Sequence, residues 1–177
     1  LVALATWLHP RLPRRECLTS SAQNACMDTD PPIEALHHIG VAVRSLDEAL
    51  PKWTDGFGLK LQSVDVVPTE QVKVAVLMAG TTRVELLEPT SDDSPIAKFL
   101  QKRGPGIHHL AFQVGDCLQK IDALAAAGAP MLNTEPSPGA HDCKVAFVHP
   151  KHLGGVLAEL VEAPHATRPE DRPIDRS

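Results

Sequence analysis

The chain contains no tyrosine, and aromatic residues make up only 3% of its 177 positions. Nor does it carry a basic block: 17 lysines and arginines stand against 22 aspartates and glutamates, for a net charge of −5. Together these absences argue against nucleic acid as the main partner, since such surfaces combine clustered cations with stacking rings. Apolar runs are short, and none reaches the roughly 18 residues needed to cross a bilayer as a helix. Cysteine is scarce and without pattern. Cys17, Cys26, Cys117 and Cys143 include no CxxC pair, so reduced thiols in an intracellular protein are expected rather than a disulfide framework. What is present, 43% hydrophobic and 22% charged residues, is a soluble globular composition. The length allows one ordinary domain or two small modules sharing a core.

Two stretches nearly repeat each other: Leu36-His37-His38-Ile39-Gly40-Val41-Ala42-Val43 and Gly106-Ile107-His108-His109-Leu110-Ala111-Phe112-Gln113-Val114. Each is a His-His pair opening a β-type run. Side chains alternate between the faces of a strand, which puts Ile39, Val41 and Val43 on one face and Leu110, Phe112 and Val114 on the matching face. These six are expected in the core. The opposite faces carry His38, Gly40 and Ala42, and His109, Ala111 and Gln113, so mostly small residues leave open space in front of each imidazole. Helix starts follow in both halves, at Ser45-Leu46-Asp47-Glu48 and Asp116-Cys117-Leu118-Gln119, in the pattern of a capping box. His38 and His109 are 71 positions apart, as are Lys73 and Lys144, and Glu85 and Glu159 are 74 apart. Constant spacing across several elements marks an internal repeat.

The expected fold is α+β, built as two tandem βαβββ modules, 33–92 and 105–163, within one domain over 33–163. A helix over 94–103, capped by Ser94 with Pro95 in its first turn, links them. The first module is expected to place strands at about 35–43, 60–67, 72–78 and 83–88. Its helix is kinked or restarted at Pro51, where a proline costs about 3 kcal/mol. Trp53 and Phe57, four apart, are expected on the core face of that helix. The second module repeats the order with a helix over 118–127 and strands near 130–134, 143–148 and 156–161. Residues 1–32 are expected to be a disordered extension, either upstream of a start at Met27 or the remnant of a mitochondrial presequence. The cytoplasm is the favoured compartment and the mitochondrial matrix the alternative. Residues 164–177 are expected to be a disordered tail.

His38, Glu85, His109 and Glu159 thus occupy matching strand positions in matching modules, and they converge if the modules pack about a pseudo-two-fold axis. Two imidazoles and two carboxylates suit one divalent ion such as Zn²⁺, Co²⁺, Ni²⁺ or Mn²⁺. Four protein ligands on a metal that accepts six leave two open positions, which marks a catalytic site. His37 and His108 are expected to face the other way, packed or hydrogen-bonded. Glu88 and Glu162 are expected at solvent-exposed strand ends.

Six segments carry a family resemblance: the His37 to Val43 run, Glu85-Leu86-Leu87-Glu88-Pro89-Thr90, Asp93-Ser94-Pro95-Ile96-Ala97-Lys98-Phe99-Leu100, the Gly106 to Phe112 run, His149-Pro150-Lys151, and Gly155-Val156-Leu157-Ala158-Glu159-Leu160. On these segments, across about 35–163, the sequence resembles the vicinal-oxygen-chelate superfamily and, within it, the methylmalonyl-CoA epimerases. The resemblance implies a cupped, barrel-like mixed sheet, a metal held by His38, Glu85, His109 and Glu159, an acyl-CoA substrate and a homodimer. It implies removal of the proton between a thioester carbonyl and a carboxylate, with the enolate stabilised by the ion and the proton returned on either face. Glu159 is the implied base on one face. The second is unassigned, with Glu70 the nearest carboxylate. Lys144 and Lys151 are candidate contacts to the coenzyme A phosphates, and Gly139-Ala140-His141 a candidate substrate-side loop. A glyoxalase I-type lactoylglutathione lyase, expected to use the same ligand set, is the alternative.

Overall fold

The computed structural model describes residues 31–164. The expectations for the N-terminal extension, Met27, Cys17, Cys26 and the tail beyond Pro164 lie outside those residues. The chain order is β1 (Ile33–Ala42), α1 (Leu46–Pro51), β2 (Lys60–Val67), β3 (Val72–Ala79), β4 (Thr82–Pro89), α2 (Pro95–Arg103), β5 (Gly106–Val114), α3 (Cys117–Ala126), β6 (Ser137–Pro138), β7 (Lys144–Val148) and β8 (Ala158–Glu162). This is βαβββ twice, with α2 as the link. The strands form a single mixed sheet in the order β2-β3-β4-β1-β5-β8-β7-β6. Within each module the first strand runs parallel to the last, β1 with β4 and β5 with β8. Between modules β1 and β5 pair antiparallel, so the module boundary is the middle of the sheet. The order reads alike from either end, which is the expected pseudo-two-fold, and the sheet curls into a half-barrel.

The alternation placed the core well. Ile39, Val41 and Val43 pack with Leu46 and Ala49 beneath α1, and Phe112 and Val114 with Cys117 and Ile121 beneath α3. Leu110 is only half-buried. On the other face Ala42, Val72, Val74 and Leu87 pack against Ile96 and Leu100 of α2. Both helix starts are capped as expected: Ser45 Oγ accepts from the Glu48 N–H and Asp116 Oδ1 from the Gln119 N–H.

Four expectations need correction. Glu88 and Glu162 are not idle strand ends. Glu88 Oε2 accepts from the Leu46 N–H and Glu162 Oε2 from the Cys117 N–H at 2.9 Å, so the last strand of each module supplies an anion to the first residue of its helix. Helix starts leave unpaired N–H groups, and a carboxylate there stabilises by about 1 kcal/mol. Lys144 is not free for phosphate, because its Nζ lies 2.7 Å from Glu162 Oε1. Phe57 is 75% exposed. After Pro51 the helix widens into a π turn over Lys52–Gly56, and this rotates Phe57 off the face that Trp53 still uses against the first core. Finally, residues 130–134 form no strand. Pro130, Pro136 and Pro138 remove ladder donors, leaving a single bridge from Met131 to Val148 and a two-residue β6. Asn133 compensates, its Oδ1 accepting from the Phe147 N–H at 3.0 Å.

Candidate metal and substrate site

The site is built on the β1–β5 seam, where His38 lies opposite Ala111 and Gly40 opposite His109. Each imidazole occupies the space left by a small residue on the facing strand. At Gly40 the fit admits nothing larger, since a Cβ there would stand 2.6 Å from His109 Nε2. The pairing steps from Leu36–Phe112 to His38–Ala111 and from Gly40–His109 to Val41–Ile107, which leaves one extra residue in each strand, His37 and then His108. Bulges of this kind re-aim side chains beside active sites. Their effect corrects the simple alternation: His37 and His108 do not point away but line the same cavity as His38 and His109.

Each extra histidine meets its neighbour ring to ring, with Nδ1 to Nδ1 distances of 2.9 Å for His37–His38 and for His108–His109. Burial pushes the pKa of both His37 and His108 down to about 4. They are therefore neutral near pH 7, and they fix the inner rings with Nε2 turned inward, the second-layer support that orients metal-binding imidazoles. His38 Nε2 and His109 Nε2 are 2.9 Å apart, and Glu159 Oε2 lies 3.2 Å from the first and 3.1 Å from the second. Burial works to raise the Glu159 pKa, but the hydrogen bonds from His109 and His38 outweigh it and hold the carboxyl down at about 2. The same bond acts on His38, whose pKa burial would lower and which Glu159 and Glu85 instead raise. Glu85 stands at the margin, its Oε2 3.6 Å from His38 Nε2.

This donor set fits a divalent cation. Three ligand atoms from three strands, β1, β5 and β8, and from both modules lie within 4.8 Å of one another, a carboxylate is ionised among them, and a fourth donor is adjacent. Borderline metals favour that mixture of imidazole and carboxylate.

The donors open into a cavity of about 570 Å³. Gly139 and Ala140 line it, as expected of a substrate-side loop, whereas Lys144 and Lys151 do not. Two further charged residues face it, Glu70 and Arg83. Glu70, in the β2–β3 turn, has its pKa raised by burial and by the negative Glu159, with His109 working the other way. Its place was hidden because Glu70 falls in the turn just before β3, where strand alternation assigns no face. Arg83 lines the cavity from β4, two positions before Glu85 and thus on the same face. That i, i+2 relation was readable in the sequence.

Residues 37–147 match the family described as the glyoxalase/bleomycin resistance protein/dioxygenase superfamily. The chain belongs to that superfamily. Within it, the chain is 38% identical over 130 residues to the ethylmalonyl-CoA/methylmalonyl-CoA epimerase of Cereibacter sphaeroides, covering 72% of this chain and 97% of that one. Among solved structures it is similar to a methylmalonyl-CoA epimerase from Mycobacterium tuberculosis, with a TM-score of 0.71 and 33% identity over 79% of this chain and 94% of that one. It is similar as well to a Streptomyces coelicolor methylmalonyl-CoA epimerase in complex with 2-nitronate-propionyl-CoA, with a TM-score of 0.71 and 31% identity over 76% and 97%. The likeness runs through both modules of the superfamily fold and favours the epimerases over the glyoxalase-type alternative.

Proposed function

We propose that the protein interconverts the (2R) and (2S) forms of methylmalonyl-CoA by taking and returning the proton at C2, with one divalent ion held by His38, Glu85, His109 and Glu159. The observation that carries this reading is the convergence of the two Nε2 atoms and the Glu159 carboxylate at the seam between modules, facing a cavity that holds a further carboxylate, Glu70. When bound, a Co²⁺, Mn²⁺, Ni²⁺ or Zn²⁺ ion supplies Lewis-acid stabilisation of the charge that develops on the thioester oxygen.

The remaining work falls to side chains. Inversion needs proton exchange on both faces of a planar intermediate. Glu159 serves one face and Glu70 the other. Their environments push them in opposite directions, Glu159 below and Glu70 above the ordinary carboxylate value, and such divergent pairs mark acid and base assignments. His37 and His108 hold the inner rings in place. Arg83 makes no ion pair among the described residues and takes an anionic group of the substrate, its carboxylate or a coenzyme A phosphate. A homodimer and a cytoplasmic location complete the reading. Light scattering of the purified protein and imaging of the tagged full chain test these two points.

The decisive experiment is NMR in D₂O with methylmalonyl-CoA and Co²⁺. Deuterium should enter at C2 as the opposite epimer accumulates. Full-rate exchange by His109→Ala would refute the site.

A further inference from the structure

The β2–β3 turn that carries Glu70 contains a backbone anomaly. Gln71 has φ +54°, a left-handed conformation that side chains disfavour and glycine accepts freely. Among the described residues one other non-glycine residue has positive φ, Asp142 at +58°. The two are 71 positions apart, the separation that relates His38 to His109. Both precede the third strand of their module, β3 at Val72 and β7 at Lys144, and both adjoin the cavity, which Gln71 lines directly and which Ala140 and Cys143 line beside Asp142. The repeat has thus kept a costly backbone course at both rims while the residue types diverged. Strain that persists in this way accumulates at functional positions.

At the first rim the side chain explains why glycine is not used. Gln71 Oε1 accepts from Ser91 Oγ at 2.8 Å, and the Gln71 carbonyl accepts from the Thr90 N–H at 2.9 Å. The turn itself is closed by the Glu70 N–H donating to the Val67 carbonyl and the Gln71 N–H to the Pro68 carbonyl, each at 3.2 Å. Thr90 and Ser91 directly follow β4, the strand that carries Arg83 and Glu85. The turn bearing Glu70 is therefore clamped to the strand that supplies one wall of the metal site. We infer that Gln71 is a positioning residue, whose left-handed backbone directs the Glu70 carboxylate over the cavity and whose bond to Ser91 keeps it there. This rests on the assignment of Glu70 as the second proton carrier.

The test compares Gln71→Gly, Ser91→Ala and Glu70→Gln in the metal-loaded enzyme. Three quantities are read in D₂O: inversion, deuterium entry without inversion, and the thermal midpoint. Glycine relieves the φ penalty but removes the clamp, so Gln71→Gly should melt no lower than the wild type while inverting on the order of 10-fold more slowly, given how steeply rates depend on the placement of a catalytic group. Deuterium entry on the Glu159 face should persist, and Ser91→Ala should show the same split to a smaller degree. Wild-type inversion by Gln71→Gly overturns the inference while leaving Glu70 in its role. So does a parallel loss of exchange, inversion and melting temperature, which is the mark of a merely structural residue. Wild-type inversion by Glu70→Gln overturns the assignment of Glu70 itself, and the inference with it.

Discussion

Module one supplies a glutamate to the site from β4 and module two supplies one from β8, from equivalent strands beside equivalent histidines. The two carboxylates nevertheless differ. Glu159 is 8% exposed and bonded to both imidazoles, whereas Glu85 approaches His38 alone at 3.6 Å. The loops differ as well. The first module keeps full-length β2 and β3, eight residues each, and presents Glu70 at the turn between them. The second has a β6 of two residues, and the segment around Gly139 and Ala140 borders the cavity instead. The repeat provides a symmetric set of donors. Divergence of the loops then breaks that symmetry, which suits the two distinguishable proton carriers proposed above.

The largest test of this asymmetry is to neutralise each glutamate in turn. Glu159→Gln should lower kcat/KM for inversion by about 10²–10³-fold, the cost of removing a group that acts on developing charge. Glu85→Gln should lose only about 10-fold, in the range of a supporting metal contact. Equal losses would show that the modules contribute alike. Next comes the seam. Gly40→Ala drives a methyl into the His109 ring and should weaken Co²⁺ binding by about 10–100-fold in calorimetry. The mirror change Ala111→Gly removes a buried methyl opposite His38, and should leave Co²⁺ affinity intact while costing roughly 1 kcal/mol of stability in urea melts.

Smaller effects follow from pH and capping. Because the Glu70 pKa is raised, the group gains its proton above the ordinary glutamate range as pH falls. Inversion should therefore show an acid limb beginning above that range, and the limb should vanish in Glu70→Gln. The least of the four is Glu162→Gln, expected to cost about 1 kcal/mol. Burial opposes ionisation of Glu162, yet the Cys117 N–H and Lys144 together hold its pKa below the usual value. The native state thus binds that proton less readily than the unfolded chain, and the stability it contributes is complete above the unfolded pKa and is lost as pH falls through the native one. The variant should lose that share of the acid dependence of melting, leaving the part that Glu159 contributes.

Much of this architecture was legible because the repeat is long and its offset constant. His38 and His109 could be matched through 71 positions, and period-two alternation assigned Val41, Val43 and Val114 to the core correctly. Several of the misreadings share one physical origin, a local departure from regular periodicity. A single inserted residue at His37 and another at His108 reverse the facing of those side chains, and no composition signal announces a bulge. The π turn after Pro51 does the same to Phe57. Glu88 and Glu162 looked solvent-facing because the N–H groups they cap lie more than 40 residues earlier in the chain. Glu70 sits in the turn between β2 and β3, outside the strands to which alternation assigns a face.

The antiparallel pairing of β1 with β5 makes chemical competence a report on folding. The two inner Nε2 atoms face each other only when the halves have docked in this alignment. Sliding one strand by a single residue would swing an imidazole to the helix-covered side and push Val41 or Phe112 toward solvent. A misthreaded chain therefore has no place to capture a cation. A correctly threaded one, once loaded, gains a cross-link between its two halves at the centre of the sheet.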